Sequence, residues 1–289
     1  MTARDSYVPA SSGQLYVREI GSGTPLLVIH GGPDFNHNYL LPELDRLASA
    51  FRLIYYDQRG RGKSAPDVSP GDVTIQSEMD DLERLRQHFG FDELSLLGHS
   101  WGSLLAMEYA TRYPDRVSRL VLMNTAPASH ADLLRFRERR GVEEAENLAK
   151  MSEISARPLY AQGDVATEAE YYRAHFGWTL RRPELLEAVV QRLRAHFSAG
   201  DIIKARAIEQ RLYTQTWLSP GYDLLPGLQQ CRARTLVMHG EHDFVPLECA
   251  SHIADALPNA QLVVIKGSGH FSYLERATEV HRAVVAYGG

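Results

Sequence analysis

The sequence predicts an α/β fold in which a mostly parallel central sheet is flanked by helices and interrupted by an inserted helical cap. Short apolar runs alternate with amphipathic stretches up to about residue 126, and this alternation is typical of parallel sheets that are covered on both faces. The alternation stops there and resumes near residue 227. The intervening segment has amphipathic stretches but no strand-like apolar runs, which indicates helices outside the sheet.

Seven strands are predicted from short runs that end at glycine, proline or charged residues. The first run alternates in polarity, whereas runs such as LLVIH and TLVMH are continuously apolar, as expected for strands buried on both faces. The predicted strands cover residues 14–20, 26–30, 53–56, 94–97, 120–123, 235–239 and 261–265.

Helices are predicted where apolar residues recur at a spacing of three or four. In the sheet-forming parts these segments are residues 75–89, 101–113, 247–257 and 274–287. In the inserted part they are residues 133–151, 168–176, 184–197 and 202–213. The predicted domains are therefore a core formed by residues 1–126 and 227–289, and a helical cap formed by residues 127–226.

Composition excludes several classes of function. A net charge of -5 and a pI near 6.2 leave no basic footprint for nucleic acid. The N-terminal residues lack the apolar stretch of a secretory signal, and no run is long enough to span a membrane. Two cysteines and no metal-binding spacing predict a cytoplasmic protein without a metal or other cofactor. The expected partner is a small molecule or a short peptide, and the oligomeric state stays open.

The sharpest local motif is GHSWG at residues 98–102, a G-x-S-x-G pattern centred on Ser100. A predicted strand precedes it and a predicted helix follows it, which is the context of a nucleophile on a strained turn. Glycine on both sides suits a place where two elements approach too closely for a Cβ. We therefore predict that Ser100 is a catalytic nucleophile.

A serine nucleophile needs a base within hydrogen-bond distance, and the base needs an acid that orients it. Sites of this kind have the chain order serine, acid, histidine. Asp243 follows the predicted strand at residues 235–239, and His270 follows the strand at residues 261–265. We predict them as the acid and the base. Glu241 is an alternative acid, whereas the loop histidines His239 and His242 are interpreted as structural.

The oxyanion of such a reaction needs two backbone N–H donors. One is predicted to be the N–H of Trp101, directly after the nucleophile. The other is predicted to be the N–H of Gly32, in the HGGP segment that follows the strand at residues 26–30.

These motifs together resemble the proline iminopeptidase (prolyl aminopeptidase) branch of the α/β-hydrolase superfamily. The segments that carry the resemblance are HGGP at residues 30–33, YDQRGRGKS at 56–64, GHSWG at 98–102, GEHD at 240–243 and GH at 269–270. The resemblance implies the α/β-hydrolase fold, Asp243 as the acid in preference to Glu241, and an aminopeptidase that acts through an acyl-enzyme. Two positions depart from the family pattern. The family loop usually reads HGGPG, but Asp34 follows the proline here, and Phe244 stands where some members have a glutamate.

Such peptidases bind the free amino terminus of the substrate through carboxylates, often glutamates of the cap. The resemblance therefore suggests Glu209 as the amine-binding residue; a solvated helix glutamate is the other interpretation. Aromatic residues of the cap are available to form the pocket wall over the strand ends. The predicted substrate-binding residues, besides Glu209, are Trp178, Trp217 and Tyr213, with Tyr160 and Phe176 as further wall material.

Two other functions remain open from the sequence. A carboxylesterase or lactonase that acts on small acyl substrates uses the same triad, and only the pocket distinguishes it. A non-catalytic ligand receptor on a hydrolase scaffold is a second alternative, although the complete Ser, Asp and His set argues against it. Ser100 also argues against haloalkane dehalogenases and epoxide hydrolases, which use an aspartate nucleophile.

Overall fold

The computed structural model describes residues 2–288, so the predicted domain limits at residues 1 and 289 lie outside the described residues. Within this range, eight strands form one sheet. The strands are β1 (Arg4–Pro9), β2 (Gln14–Ile20), β3 (Thr24–Ile29), β4 (Phe51–Tyr56), β5 (Leu94–His99), β6 (Val117–Met123), β7 (Arg234–Gly240) and β8 (Ala260–Ile265).

The order of strands across the sheet is β1-β2-β4-β3-β5-β6-β7-β8. β1 pairs with β2 and β2 with β4 in antiparallel fashion, and all other neighbours are parallel. The predicted fold class is confirmed. The seven predicted strands are all present, but β1 was missed because Val8 is its only buried residue, so the edge strand has no apolar pattern.

Twelve α-helices occur between residues 2 and 288. They are α1 (Ile75–His88), α2 (Trp101–Arg112), α3 (His130–Glu143), α4 (Ala145–Ser155), α5 (Pro158–Ala161), α6 (Val165–Phe176), α7 (Leu186–Leu193), α8 (Ala199–Gln215), α9 (Leu225–Leu228), α10 (Leu247–Ala256), α11 (Ser272–Glu275) and α12 (Ala277–Gly288). Short 3-10 helices cover His37–Leu40, Glu43–Ser49, Gly62–Ser64, Pro70–Asp72, Pro114–Arg116 and Pro183–Leu185. None of the described helices is long and apolar enough to cross a membrane.

Three helix predictions were wrong in detail. The helix predicted over residues 274–287 is two helices, α11 and α12, which are separated at Arg276 with φ -134° and ψ 49°. The single helix predicted over residues 133–151 is two helices, α3 and α4, which meet at Glu144 with φ -124° and ψ 20°. Gly141 lies three residues before the break but inside α3, so neither this glycine nor the periodicity shows where the helix ends. The helix predicted over residues 184–197 is only α7, which ends where Arg194 leaves the helical conformation.

Both faces of the sheet are buried, which explains the continuously apolar strands. In β3, Leu27 and Ile29 belong to the apolar cluster that contains α1 and α2 residues, and Leu26 and Val28 belong to the opposite cluster with α12 residues. Successive side chains of a strand point to opposite faces, so each strand contributes to both clusters.

The described chain between β6 and β7 adds α3 to α9 and no strand to the sheet. We call residues 127–226 the insertion. Because parallel strands end at the same edge of a sheet, the loops after β3, β5, β6, β7 and β8 gather where the insertion begins.

Candidate active site

Ser100 lies on a sharp turn between β5 and α2, with φ 54° and ψ -120°. A positive φ is unfavourable for a residue with a side chain, so the surrounding contacts must hold this turn. A Cβ built on Gly98 would lie 2.3 Å from the Gly102 carbonyl oxygen, and one on Gly102 would lie 2.1 Å from the Ile29 carbonyl oxygen. Both glycines of the motif are therefore required by close backbone approaches.

Asp243 and His270 lie in the loops after β7 and β8, within hydrogen-bond distance of each other and of Ser100. The His270 Nε2 atom lies 2.9 Å from Ser100 Oγ. The His270 Nδ1 atom lies 2.9 Å from Asp243 Oδ1 and 3.1 Å from Oδ2. The alternative acid, Glu241, is exposed and accepts a hydrogen bond from the Gly267 N–H at 2.8 Å, away from this chain of contacts.

Asp243 is buried and receives several hydrogen bonds. Burial alone raises the pKa of its carboxyl group, but attraction to His270 and His239 and hydrogen bonds from His270 and Asn124 outweigh burial, so the pKa lies below its usual range. The Asn124 Nδ2 atom donates to Asp243 Oδ2 at 2.8 Å and to the Gly269 carbonyl oxygen at 2.9 Å. Asn124 has φ 48°, and it was missed from the sequence because it has no motif.

The HGGP loop after β3 packs directly against the Ser100 turn. A Cβ on Gly31 would lie 3.1 Å from Ser100 Cβ, and Gly32 lines the same cavity as Ser100. The backbone N–H groups of Gly32 and Trp101 have no acceptor among residues 2–288. Two unpaired donors beside a serine hydroxyl are suited to bind a developing oxyanion.

A buried hydrogen-bond chain connects this loop to His270. The Gly31 N–H donates to Tyr39 Oη at 2.7 Å, Tyr39 Oη lies 2.8 Å from His99 Nδ1, and His99 Nε2 lies 2.9 Å from the His270 carbonyl oxygen. Burial, with repulsion from His270, lowers the pKa of His99 to about 3, so its imidazole is neutral. The carbonyl oxygen can only accept, so Nε2 carries the proton and Tyr39 must donate to Nδ1.

The DQRGRG segment, residues 57–62, holds the HGGP loop through hydrogen bonds from Gln58. The Gln58 side chain donates to the His30 carbonyl oxygen at 2.6 Å, and the Gln58 N–H donates to His30 Nε2 at 3.1 Å. Arg59 forms a buried ion pair with Asp81. This motif therefore positions the loop and contacts no part of the Ser100 cavity.

A cavity of about 490 Å³ opens above Ser100 and His270. Its volume falls in the range of small-molecule sites. Loops of the core form its floor, and α3, α4, α6 and α8 of the insertion contribute most of its wall. The aromatic residues that line it are Phe35, Tyr39, Phe136, Tyr160, Tyr171, Tyr172, Phe176, Tyr213, Trp217, Phe244 and Phe271.

Glu209, on α8, lines this cavity and lies beside a cluster of ion pairs. Arg194 pairs with both Asp34 and Glu168, and Arg206 also pairs with Glu168. Glu209 makes no ion pair with any residue that the structure describes. Burial raises the pKa of its carboxyl group; the Tyr213 hydroxyl and the two arginines oppose this shift without cancelling it.

The predicted substrate-binding residues divide into two groups. Glu209, Tyr213 and Trp217 line the cavity, and so do Tyr160 and Phe176. Trp178 does not line it; it lies two residues after the end of α6 and packs against the apolar cluster that contains Phe176, near Glu144. Sequence periodicity could not separate these positions, since Trp178 lies beyond the helix.

Within residues 2–288, no three histidine, cysteine, aspartate or glutamate side chains come together in a way that could hold a metal ion. Cys231 and Cys249 are buried and free.

Comparison with known proteins agrees with this geometry. Residues 24–277 match the family model of the alpha/beta hydrolase fold. A proline iminopeptidase from Clostridium botulinum is 30% identical over 287 residues, which cover 95% of this chain and 94% of that protein.

Two solved structures extend the similarity to three dimensions. The proline iminopeptidase of Mycobacterium smegmatis superimposes with a TM-score of 0.71 at 24% identity, covering 98% of this chain and 97% of the other. A thermophilic esterase from Thermogutta terrifontis superimposes with a TM-score of 0.71 at 25% identity, covering 99% of this chain and 98% of the other. The similarity therefore includes both the sheet and the insertion.

Proposed function

This chain belongs to the alpha/beta hydrolase fold family, and we propose that it is a serine aminopeptidase that releases an N-terminal residue, proline above all, from short peptides. It is an enzyme of the proline iminopeptidase-like type, as its relatives indicate. The roles of individual residues, the acyl-enzyme and the function of the insertion as a substrate-binding cap are our proposals. They are supported by the hydrogen bonds around Ser100 and by the position of Glu209.

In the first half of the proposed reaction, Ser100 Oγ attacks the carbonyl carbon of the N-terminal residue. His270 Nε2 takes the hydroxyl proton, and Asp243 stabilises the imidazolium that forms. The C–N bond then breaks as His270 passes this proton to the leaving amine. The N-terminal residue remains attached to Ser100 as an ester.

In the second half, a water molecule attacks the ester carbonyl while His270 takes one of its protons. The Ser100 oxygen leaves and recovers this proton, which frees the amino acid. In both halves, the N–H groups of Gly32 and Trp101 donate to the negatively charged oxygen.

The observation that carries the peptidase assignment is the unpaired carboxylate of Glu209 in the same cavity as Ser100. Asp34, Glu168 and Glu209 supply three carboxylates against the two guanidinium groups of Arg194 and Arg206. The ionised cluster therefore has one negative charge in excess. A substrate ammonium group would neutralise this charge, and an uncharged acyl group would not.

A carboxylesterase is the second candidate, supported by the similarity to the Thermogutta terrifontis esterase. Phe244 also favours it, because this ring lies 4.2 Å from the His270 ring where some aminopeptidases of the family have a carboxylate. A lactonase would use the same groups.

A side-by-side assay of proline p-nitroanilide and p-nitrophenyl acetate tests the choice. We expect the proline substrate to have the higher kcat/KM. Its N-acetylated form should be hydrolysed at least about 100-fold less efficiently, because it has no ammonium group to pair with Glu209. Equal hydrolysis of the free and the acetylated anilide would instead favour the esterase.

A further inference from the structure

The cavity above Ser100 contains a second unpaired charge besides Glu209. Four arginines line it, and three of them have carboxylate partners: Arg140 pairs with Glu144, and Arg194 and Arg206 pair as described above. Arg137 also lines the cavity; it is exposed and interacts electrostatically with the Tyr213 hydroxyl, but it forms no ion pair or side-chain hydrogen bond with the described part of the chain. The cavity wall therefore has one carboxylate, Glu209, and one guanidinium, Arg137, that form no ion pair with a described residue.

Arg137 follows Phe136 on α3, and Phe136 packs towards the proposed catalytic base His270 through Phe244. Leu133, Phe136, Arg137 and Arg140 are spaced three and four apart on α3 and together form its cavity face. The Phe136 ring lies 5.5 Å from the ring of Phe244, which in turn lies 4.2 Å from the His270 ring.

This wall is the leaving-group side of the cavity. His270 must hand its proton to the departing amine, so that amine and the residues attached to it extend from His270. Along that wall, Arg140 is already neutralised by Glu144 at 2.9 Å, whereas the guanidinium of Arg137 is available for an anion.

We propose that Arg137 binds the free α-carboxylate of the leaving group, so that the preferred substrates are zwitterionic dipeptides and tripeptides. This inference rests on the proposed aminopeptidase function. Glu209 pairs with the amino terminus and Arg137 with the carboxyl terminus of the same molecule. An arginine is well suited to this role because its planar fork matches a carboxylate with two parallel hydrogen bonds.

The size of the site agrees with a short substrate. A cavity of about 490 Å³ accommodates a small ligand and excludes a long folded chain. Arg137 is exposed, so it lies where the cavity meets solvent, and the carboxylate of a short peptide would reach it there. The guanidinium would then add charge-assisted hydrogen bonds to that carboxylate.

The test compares prolylglycine with prolylglycinamide, which share the amine and the scissile bond and differ only in the terminal carboxylate. We expect the wild-type enzyme to hydrolyse the free acid at least about 10-fold more efficiently in kcat/KM, the effect of one charge-assisted hydrogen-bond pair. In Arg137→Gln this ratio should fall to about one, and Arg137→Lys should retain part of it.

The control is Arg139→Gln, on the same helix. Arg139 pairs with Glu143 at 2.8 Å and does not line the cavity, so its loss should leave the ratio at the wild-type value. Thermal melting checks that all three variants fold. The proposal for Arg137 is overturned if the wild-type ratio is one, or if Arg137→Gln does not change the ratio. In either case, hydrolysis of proline p-nitroanilide by the wild type would still support the aminopeptidase function. Failure of the wild type on all proline substrates overturns both.

Discussion

Gly31 approaches Ser100 so closely that a Cβ on Gly31 would lie 3.1 Å from Ser100 Cβ. The position of this glycine depends on Tyr39, whose hydroxyl accepts the Gly31 N–H at 2.7 Å. We therefore expect Tyr39→Phe to lower kcat about 10-fold with little change in KM. The buried N–H of Gly31 would lose its acceptor, and the HGGP loop with its proposed oxyanion donor at Gly32 would shift. The rate of labelling by a fluorophosphonate should fall in parallel.

Tyr273→Phe is the matched control for this prediction. The Tyr273 hydroxyl donates to the Tyr39 carbonyl oxygen at 2.8 Å, so its removal breaks a buried hydrogen bond to the same residue without touching Gly31. If both variants lose kcat equally, Tyr39 acts through general stability and not through the loop.

Replacing Ser100 by alanine is expected to reduce kcat by about 10⁶. The fold should persist, since the turn between β5 and α2 is held by the close backbone contacts of Gly98 and Gly102. Turnover measurements and circular dichroism on the purified variant check both statements. A residual rate within tenfold of the wild type contradicts the nucleophile assignment.

Glu209→Gln is expected to lower kcat/KM about 100-fold for substrates with a free amino terminus, because the ammonium group loses its charged partner. Hydrolysis of p-nitrophenyl acetate provides the internal comparison, since this ester carries no amine. Losses of equal size on both substrates, or on neither, remove Glu209 from the substrate site and favour the esterase.

The raised pKa of Glu209 leads us to predict that KM depends on pH. Burial raises the pKa of Glu209, so its protonation begins at a higher pH than for an exposed glutamate. Protonation abolishes the attraction for an ammonium group. KM for proline p-nitroanilide should therefore rise as pH falls through this raised pKa, whereas KM for the ester should not change. In Glu209→Gln, KM for proline p-nitroanilide should no longer rise at low pH. If the rise persists in this variant, another group causes it.

The sequence predicted those parts of the site that follow strands, because strand, turn and residue are adjacent in the chain. Ser100, Asp243 and His270 each follow a strand end, and the structure has them in hydrogen-bond contact. Asn124 and Tyr39 could not be found in this way, because they act through contacts with distant residues: Asn124 contacts Asp243, 119 positions away, and Tyr39 contacts His99, 60 positions away.

The ends of the helices in the insertion could not be predicted accurately from helical periodicity. Helical periodicity located α6, but Trp178 lies two residues after the last residue of this helix and does not line the cavity. The break at Glu144 likewise comes three residues after the nearest glycine, Gly141, which itself lies inside α3. Such features depend on tertiary packing, which a local pattern does not record.

The ion pair between Arg194 and Asp34 is one of several contacts that join the insertion to the rest of the chain, and it belongs to the ion-pair cluster beside Glu209. Residues 127–226 supply most of the cavity wall, and the proposed catalytic groups all lie outside them. Recombination could thus exchange substrate preference between relatives without altering the chemistry. A transplanted segment that contains Arg194 would, however, have to bring Asp34 with it. A recipient with glycine at that position would leave the buried guanidinium with Glu168 as its ion-pair partner and the Tyr172 hydroxyl as an acceptor, and such a chimera would be a less stable protein.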